Sequence, residues 1–440
     1  MRNKMIYFNF HLFVIIFANL QIFQVQAANI FCYYDTQRIT DVNAAINYLE
    51  PALQFCNFLI YGYAGIDGET YQVKSLDYGL NYDIYQAITS LKLKHNRLKV
   101  LLSIGGDRDQ TEDLAEDNKY LKLLENLSSR NAFINSIQSV IRTYGFDGLD
   151  MAWQFPKNPP KHEHSGFRKY LDKLMNLFRR SPVIDENSAF HKEQFVSLLT
   201  ELRQSLNPMG AIMTMTVLPH VSAELFLDVK PIVNHVDFII LATFDYLTPY
   251  RDPTIAHYTA PIYAVSEHDP SHNINYDVQY WLNHTTATSK LVLGVPAYGR
   301  SWTMIKKSGI TGHPPITAGG PGRAGHRTLT AGLLSWPEIC VKIHQNKELE
   351  GDAARFRKVS DPTKRFGTYA YRSVDENNEY GIWVSYEEPK TAANKAEYAH
   401  ARNLSGVALF DLSMDDVTGE CGDGTYSILK SIHNAFKKFK

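Results

Sequence analysis

Residues 146–156 read Phe146-Asp147-Gly148-Leu149-Asp150-Met151-Ala152-Trp153-Gln154-Phe155-Pro156. The part over 148–153 reads as a buried strand. Side chains alternate along a strand, so Asp150, Ala152 and Gln154 share one face. On the fourth strand of a barrel, that face points toward the mouth. A row of acids there would form a catalytic proton relay. Here only the first member of the row, Asp150, is an acid.

Outward from this stretch, short apolar runs alternate with amphipathic segments. Candidate strands fall at 29–34, 58–64, 99–104, 148–153, 211–217, 236–244, 291–296 and 406–411. Several are nearly continuous in Val, Ile, Leu, Phe or Tyr, as strands buried on both faces must be. Between them, 132–144 aligns Phe133, Ile137, Val140 and Ile141 on one side, and 191–206 aligns Phe195, Leu198, Leu199, Leu202 and Leu206. Eight strands with intervening helices predict an α/β fold, a (β/α)8 TIM barrel. An open doubly wound sheet is the alternative. No Gly-rich dinucleotide turn follows the first strand, which counts against it.

Two stretches break the rhythm. Residues 299–385 are too long for a simple connection between the seventh and eighth strands. They hold Gly/Pro turns and then strand-like pieces at 366–371 and 381–386, which predicts a small α+β insertion domain. The barrel then comprises 28–298 and 386–440. The second stretch, 156–190, carries Lys157, Lys161, Arg168, Lys169, Lys173, Arg179 and Arg180 against fewer acids. It reads as a solvated loop or as a partner-binding loop, since barrels carry function on that face.

The 146–156 segment resembles the signature of family eighteen chitinases, F-D-G-x-D-x-D-W-E-Y-P, with Phe146, Asp147, Gly148, Asp150, Trp153 and Pro156 in register. The resemblance spans nearly the whole chain. Ser103-Ile104-Gly105-Gly106, the run from Val236 to Asp245, the run from Leu293 to Arg300 and the run from Gly406 to Asp411 match that family's third, sixth, seventh and eighth strands. The departures imply a dead site. Gln154 stands where the family has the Glu that protonates the leaving oxygen, and an amide has no titratable proton near neutral pH. Ala152 replaces the Asp that assists the substrate's acetamido group. Ala242 and Phe244 replace a Met and a Tyr, and Phe410 replaces a Trp at the pocket floor. Loss of the general acid alone costs about 10²–10⁴ in rate. No catalytic residue is therefore assigned; Asp147, Asp150, Ala152 and Gln154 are a vestigial site. An acid recruited from elsewhere, such as Asp245 or Glu388, would be needed for hydrolysis.

The variant D-G-L-D-M-A-W-Q-F-P, the basic loop after it and the run from Leu333 to Cys340 resemble insect imaginal disc growth factors. That resemblance implies a secreted, non-hydrolytic protein that promotes growth with insulin-like signals through a cell-surface receptor of unknown identity. The alternative is a lectin-like protein that binds chitin oligosaccharides or other glycans through Trp153, Asp245, Tyr298, Arg300 and Phe410. In the blander reading, Trp153 is barrel core and Asp147 and Asp150 are a buried hydrogen-bonded pair.

The remaining signals fit secretion. Arg2 and Lys4 precede an apolar run from Leu12 to Leu20, and Val25-Gln26-Ala27 ends in small residues, so 1–27 reads as a signal peptide. Formal net charge is -1, and loss of Arg2 and Lys4 takes it to -3. Nothing in that balance points to nucleic acid, and no other segment is long and apolar enough to span a membrane. The 4 cysteines of an exported chain predict two disulfides, and three pairings are possible. Cys32–Cys56 closes a short loop between neighbouring candidate strands and contributes about 3–4 kcal/mol. Cys340–Cys421 then remains. Sequons at Asn126, Asn283 and Asn403 are candidate glycosylation sites. His162-Glu163-His164 lacks zinc-protease spacing and reads as a polar loop, so neither metal nor cofactor is expected.

Overall fold

The computed structural model describes residues 28–36, 42–77, 83–106, 108–109, 118–156, 184–308, 316–345 and 349–439. The signal-peptide reading at 1–27, the His162–His164 stretch and the seven basic residues of the loop after the fourth barrel strand lie outside them.

In chain order the strands are β1 (Asn29–Asp35), β2 (Phe58–Ile66), β3 (Val73–Ser75), β4 (Lys99–Gly105), β5 (Gly148–Ala152), β6 (Ile212–Val217), β7 (Phe238–Leu241) and β8 (Ile255–Ala256). They continue as β9 (Leu291–Pro296), β10 (Tyr298–Met304), β11 (Ile316–Pro321), β12 (Leu333–Ser335), β13 (Arg357–Ser360), β14 (Thr368–Arg372), β15 (Ile382–Tyr386) and β16 (Gly406–Phe410). The helices that bear on the site are α1 (Lys119–Glu125), α2 (Leu127–Tyr144), α3 (Ser188–Leu206), α4 (Ile274–His284), α5 (Trp336–His344) and α6 (Pro389–Ala401).

Eight strands pair in parallel in the order β1, β16, β9, β7, β6, β5, β4, β2, and β2 returns to β1. The sheet is therefore a closed barrel, the (β/α)8 fold. Its strands lie between inward side chains and a helix layer, which is why they read as continuous apolar runs. The strand predicted over 236–244 is shorter, Phe238–Leu241, because the chain leaves the sheet at the mouth.

The helices follow their sequence signals. Asn126 caps α2 by accepting from the Ser128 amide at 2.8 Å. Gly145 ends α2 with φ 73°, a left-handed conformation that costs a glycine little, and its amide returns to the Ile141 carbonyl at 2.9 Å. The predicted row Phe195, Leu198, Leu199, Leu202 and Leu206 on α3 is wholly buried.

A second, antiparallel sheet runs β13-β14-β15-β10-β11-β8, with β12 on β10. It occupies the predicted insertion, with one addition. Ile255–Ala256 pairs with Ile316 and Thr317, so the connection after β7 lends the insertion an edge strand. The insertion has its own small core of Tyr258, Val265, Trp302, Met304, Tyr369 and Trp383.

Cys32–Cys56 joins β1 to the turn before β2, with Cα atoms 5.9 Å apart. Cys340–Cys421 joins α5 to the segment after β16, at 5.5 Å. Asn126, Asn283 and Asn403 are all exposed. Among the described residues, no helix is long and apolar enough to cross a membrane.

Candidate functional site

The inward row of β5 starts with Asp150, which is fully buried. Its neighbours are the inward side chains of β1, β4 and β6. Tyr33 donates its hydroxyl to Oδ2 at 2.9 Å and Ser103 does so at 2.6 Å. Thr214 donates to Oδ1 at 2.6 Å, and Thr216 at 3.0 Å. The Tyr33 and Thr216 hydroxyls also share a hydrogen bond. Burial pushes the Asp150 carboxyl above its ordinary range, and the four hydroxyls pull against it. Burial, reinforced by Asp150, also pushes the Tyr33 phenol well upward, so Tyr33 stays a donor.

The next inward position, Ala152, is buried and brings no polar side chain. Gln154 follows at the rim and is 5% exposed. Its Nε2 donates to the Gly106 carbonyl. Gly106 has φ 62°, and a Cβ there would lie 2.2 Å from the Tyr63 ring, so only glycine lets the β4 turn approach Gln154 this way. Gln154 is thereby spent on holding the rim.

Across the mouth, Asp245 gathers two residues of β10. Tyr298 donates its hydroxyl to Oδ2 at 2.7 Å. Arg300 grips both oxygens, Nε to Oδ1 at 2.9 Å and Nη2 to Oδ2 at 2.5 Å. The guanidinium lies 5.1 Å over the Tyr298 ring. Asp245 has φ 59°, and its amide bonds the Thr259 carbonyl at 2.8 Å. Phe410 stacks on Tyr33 with centroids 4.0 Å apart and leans on Phe244 at 5.0 Å. These rings form an apolar floor between the Asp150 cluster and the Asp245 unit.

The structure separates two predicted residues from this mouth. Asp147 sits at the opposite end of β5. Its carboxylate accepts from the Val100 amide at 2.9 Å and pairs with Lys92 at 3.1 Å, so it is neither a cleft residue nor a partner of Asp150. Trp153 faces outward into the helix layer, 4.8 Å from Tyr120 and 5.7 Å from Phe195. Strand alternation explains both: the parity that turns Asp150, Ala152 and Gln154 inward turns Asp147 and Trp153 away. Glu388 caps α6, pairs with Lys358 and accepts from Thr368 at 3.2 Å, at the insertion's junction with the barrel. Among the described residues, no group of three His, Cys, Asp or Glu is arranged to hold a metal.

The sequence reading missed the hydroxyl ring around Asp150. A signal was present, because Thr214 and Thr216 alternate with Met213 and Met215 along β6. Tyr33 carried no comparable mark within its apolar run.

A closed parallel barrel, an antiparallel insertion after its seventh strand, and a polar mouth at the strands' carboxyl ends define a chitinase-type barrel. The model of the family described as glycosyl hydrolases family 18 matches residues 29–415. The chain belongs to that family. It is 49% identical to chitinase-like protein Idgf5 of Drosophila melanogaster, over 92% of this chain and 93% of that protein. It is 44% identical to imaginal disk growth factor 6 of the same species, over 93% of each. Among solved structures, catalytic domain 2 of the Ostrinia furnacalis Group II chitinase matches with a TM-score of 0.76 at 29% identity, covering 94% of this chain and 97% of that one.

Proposed function

We propose that this chain is a secreted, non-hydrolytic chitinase-like protein that promotes cell growth together with insulin-like signals. Gln154 carries the proposal. It stands in the position of the general acid, has no proton to give near neutral pH, and is hydrogen-bonded to Gly106. Ala152 leaves the preceding inward position without a carboxylate. Asp245 does not fill the gap, since its oxygens are taken up by Tyr298 and Arg300. Similarity to an imaginal disk growth factor supports the growth-promoting role. The two disulfides and the leader-like residues 1–27 support export, with the chain starting near Ala28.

The deciding experiment pairs two assays on the purified protein. Chito-oligosaccharides and a fluorogenic chitobioside should yield no product from acid to neutral pH. Cultured insect cells should proliferate more when the protein is added with insulin. Turnover above buffer that disappears in Gln154→Ala would refute the first half. A cell response equal to that of a heat-denatured control would refute the second.

The receptor contact proposed for growth is the basic loop of 156–190. Reversing Arg168, Lys169, Arg179 and Arg180 to Glu should abolish the cell response and leave the melting point unchanged. An unchanged response would move attention to the insertion domain. A second reading, oligosaccharide binding without hydrolysis, is favoured by the aromatic floor of Tyr33, Phe244 and Phe410 beside the Asp245 unit. Calorimetry with chitopentaose tests it, and absence of heat at millimolar sugar would reject it.

A further inference from the structure

Charge is unevenly divided between the two parts of the molecule. The insertion, residues 299–385, holds 13 Lys and Arg against 8 Asp and Glu, a formal +5. The chain from Ala28 onward carries -3, so the barrel parts carry -8. A cationic module on an anionic body turns that module toward any polyanion it meets.

The fold gathers part of this charge in one place. β13 is an edge of the insertion sheet, and all four of its residues are exposed. Arg357 and Lys358 lie on it, and Lys364 and Arg365 lie on the turn to β14, all exposed. Lys390, in the first turn of α6, is exposed as well. Asp361 is the one acid of this hairpin, and its carboxylate is turned onto the hairpin's own backbone. It accepts from the amides of Thr363 at 2.8 Å, Arg365 at 2.7 Å and Phe366 at 2.8 Å. The turn is thereby fixed, and its two cations are presented in a set geometry.

Most of these cations keep their charge for a partner. Lys358 pairs with Glu388. Lys364 reaches Glu397 only at 3.9 Å, between exposed side chains, a contact of little weight. Arg365 lies 4.7 Å over the Tyr263 ring. Among the described residues, no carboxylate pairs with Arg357, Arg365 or Lys390. Between the hairpin and α6 runs a crevice lined by Ser360, Lys364, Lys390, Thr391, Asn394 and Lys395. Lys395 is 1% exposed there and is balanced by Glu387 at 2.5 Å. Ser360 and Asn394 add a hydroxyl and an amide among the cations.

A protein partner needs buried apolar anchors, and its contact area is poor in Lys. Over 357–366 the one large apolar side chain that is exposed is Val359, at 36%. The surface instead matches dense negative charge carried on a polar scaffold. We propose that the β13–β14 hairpin and the first turn of α6 bind a sulfated linear polysaccharide, with one sulfate in the crevice beside Lys364 and Lys390. The site uses no residue of the mouth and none of 156–190. It rests on export of the chain and is independent of the cell response.

The disulfide-bonded secreted protein is titrated with heparin, hyaluronan, poly-glutamate and phosphatidylserine vesicles at about 0.15 M salt. Heparin should bind at least ~10-fold more tightly than the other three, and more weakly as salt rises. The triple variant Arg357→Ser/Lys364→Asn/Lys390→Ser should lose at least ~10-fold in heparin affinity with an unchanged melting point. Asn tolerates the left-handed backbone of Lys364, φ 60°. Where the triple variant melts early, Lys390→Glu decides, since an acid is welcome in a helix's first turn; it should lose at least ~3-fold. Removing three charges elsewhere, in Arg168→Ser/Lys169→Ser/Arg179→Ser, should cost less than ~3-fold. The proposal is overturned if the parent does not bind heparin, or binds poly-glutamate or vesicles as tightly. Full affinity in the deciding variant, or an equal loss in the Arg168, Lys169 and Arg179 control, overturns it too.

Discussion

Asp150 and Gln154 belong to the same inward row, yet they keep different company. Asp150 is fully enclosed and takes four hydroxyls from three other strands. Gln154 touches the rim through one amide hydrogen bond to a turn. The deep member of the row is held by the barrel's own packing, because removing it would take the acceptor from four buried hydroxyls, of which only Tyr33 and Thr216 have each other to turn to. The rim member answers only to whatever happens at the mouth. A barrel can therefore lose its chemistry at the rim while the polar layer beneath stays fixed by folding alone.

The sharpest way to break this contrast is Asp150→Ala. It should cost about 3 kcal/mol, because four hydroxyls lose their acceptor in a space water does not reach. Denaturant titration reads the loss, and a variant as stable as the parent would show that the layer is not structural. Arg300→Met comes next. It leaves the buried Asp245 without its bidentate partner and should cost about 2 kcal/mol. Chitopentaose binding, where calorimetry detects it, should weaken in the same variant.

Gln154→Ala should cost only about 1 kcal/mol, the worth of one ordinary hydrogen bond. A loss matching that of Asp150→Ala would erase the distinction between depth and rim. The smallest effect concerns pH. The Asp150 carboxyl is raised above its ordinary 3.8 by burial, so it binds its proton more tightly folded than unfolded. Its stabilising contribution is complete below 3.8 and is lost as pH rises through the folded value. Asp150→Asn cannot titrate, so its melting point should drop less than the parent's toward alkaline pH. Parallel melting curves at every pH would contradict that.

The same contrast separates what the sequence made legible from what it hid. The barrel strands were readable because burial on both faces writes a continuous apolar run. The inward row was readable because alternation is a property of one strand. Counting Asp147 with the inward row and Trp153 among the sugar-binding residues ignored that same alternation, whereas the reading of Trp153 as barrel core followed it. The hydroxyls around Asp150 come from β1, β4 and β6, and no single stretch announces a ring assembled by strand register. The loan of Ile255–Ala256 to the second sheet was equally hidden, since a two-residue edge strand has no periodicity to read.

Closure of the barrel carries a consequence for synthesis. Asn29 and Ser405, hydrogen-bonded side by side, are 376 residues apart in the chain. At about 5–20 residues per second, β1 emerges from the ribosome on the order of half a minute before β16 exists to cover its open edge. Through that interval β1 can pair with β2 on one side only, and its other edge, at Asn29–Cys32, stays open as a template for pairing with another nascent chain. A premature stop anywhere in the insertion leaves that edge open for good. Such a product should be retained and cleared by the cell's quality control, however well its first seven barrel strands are formed.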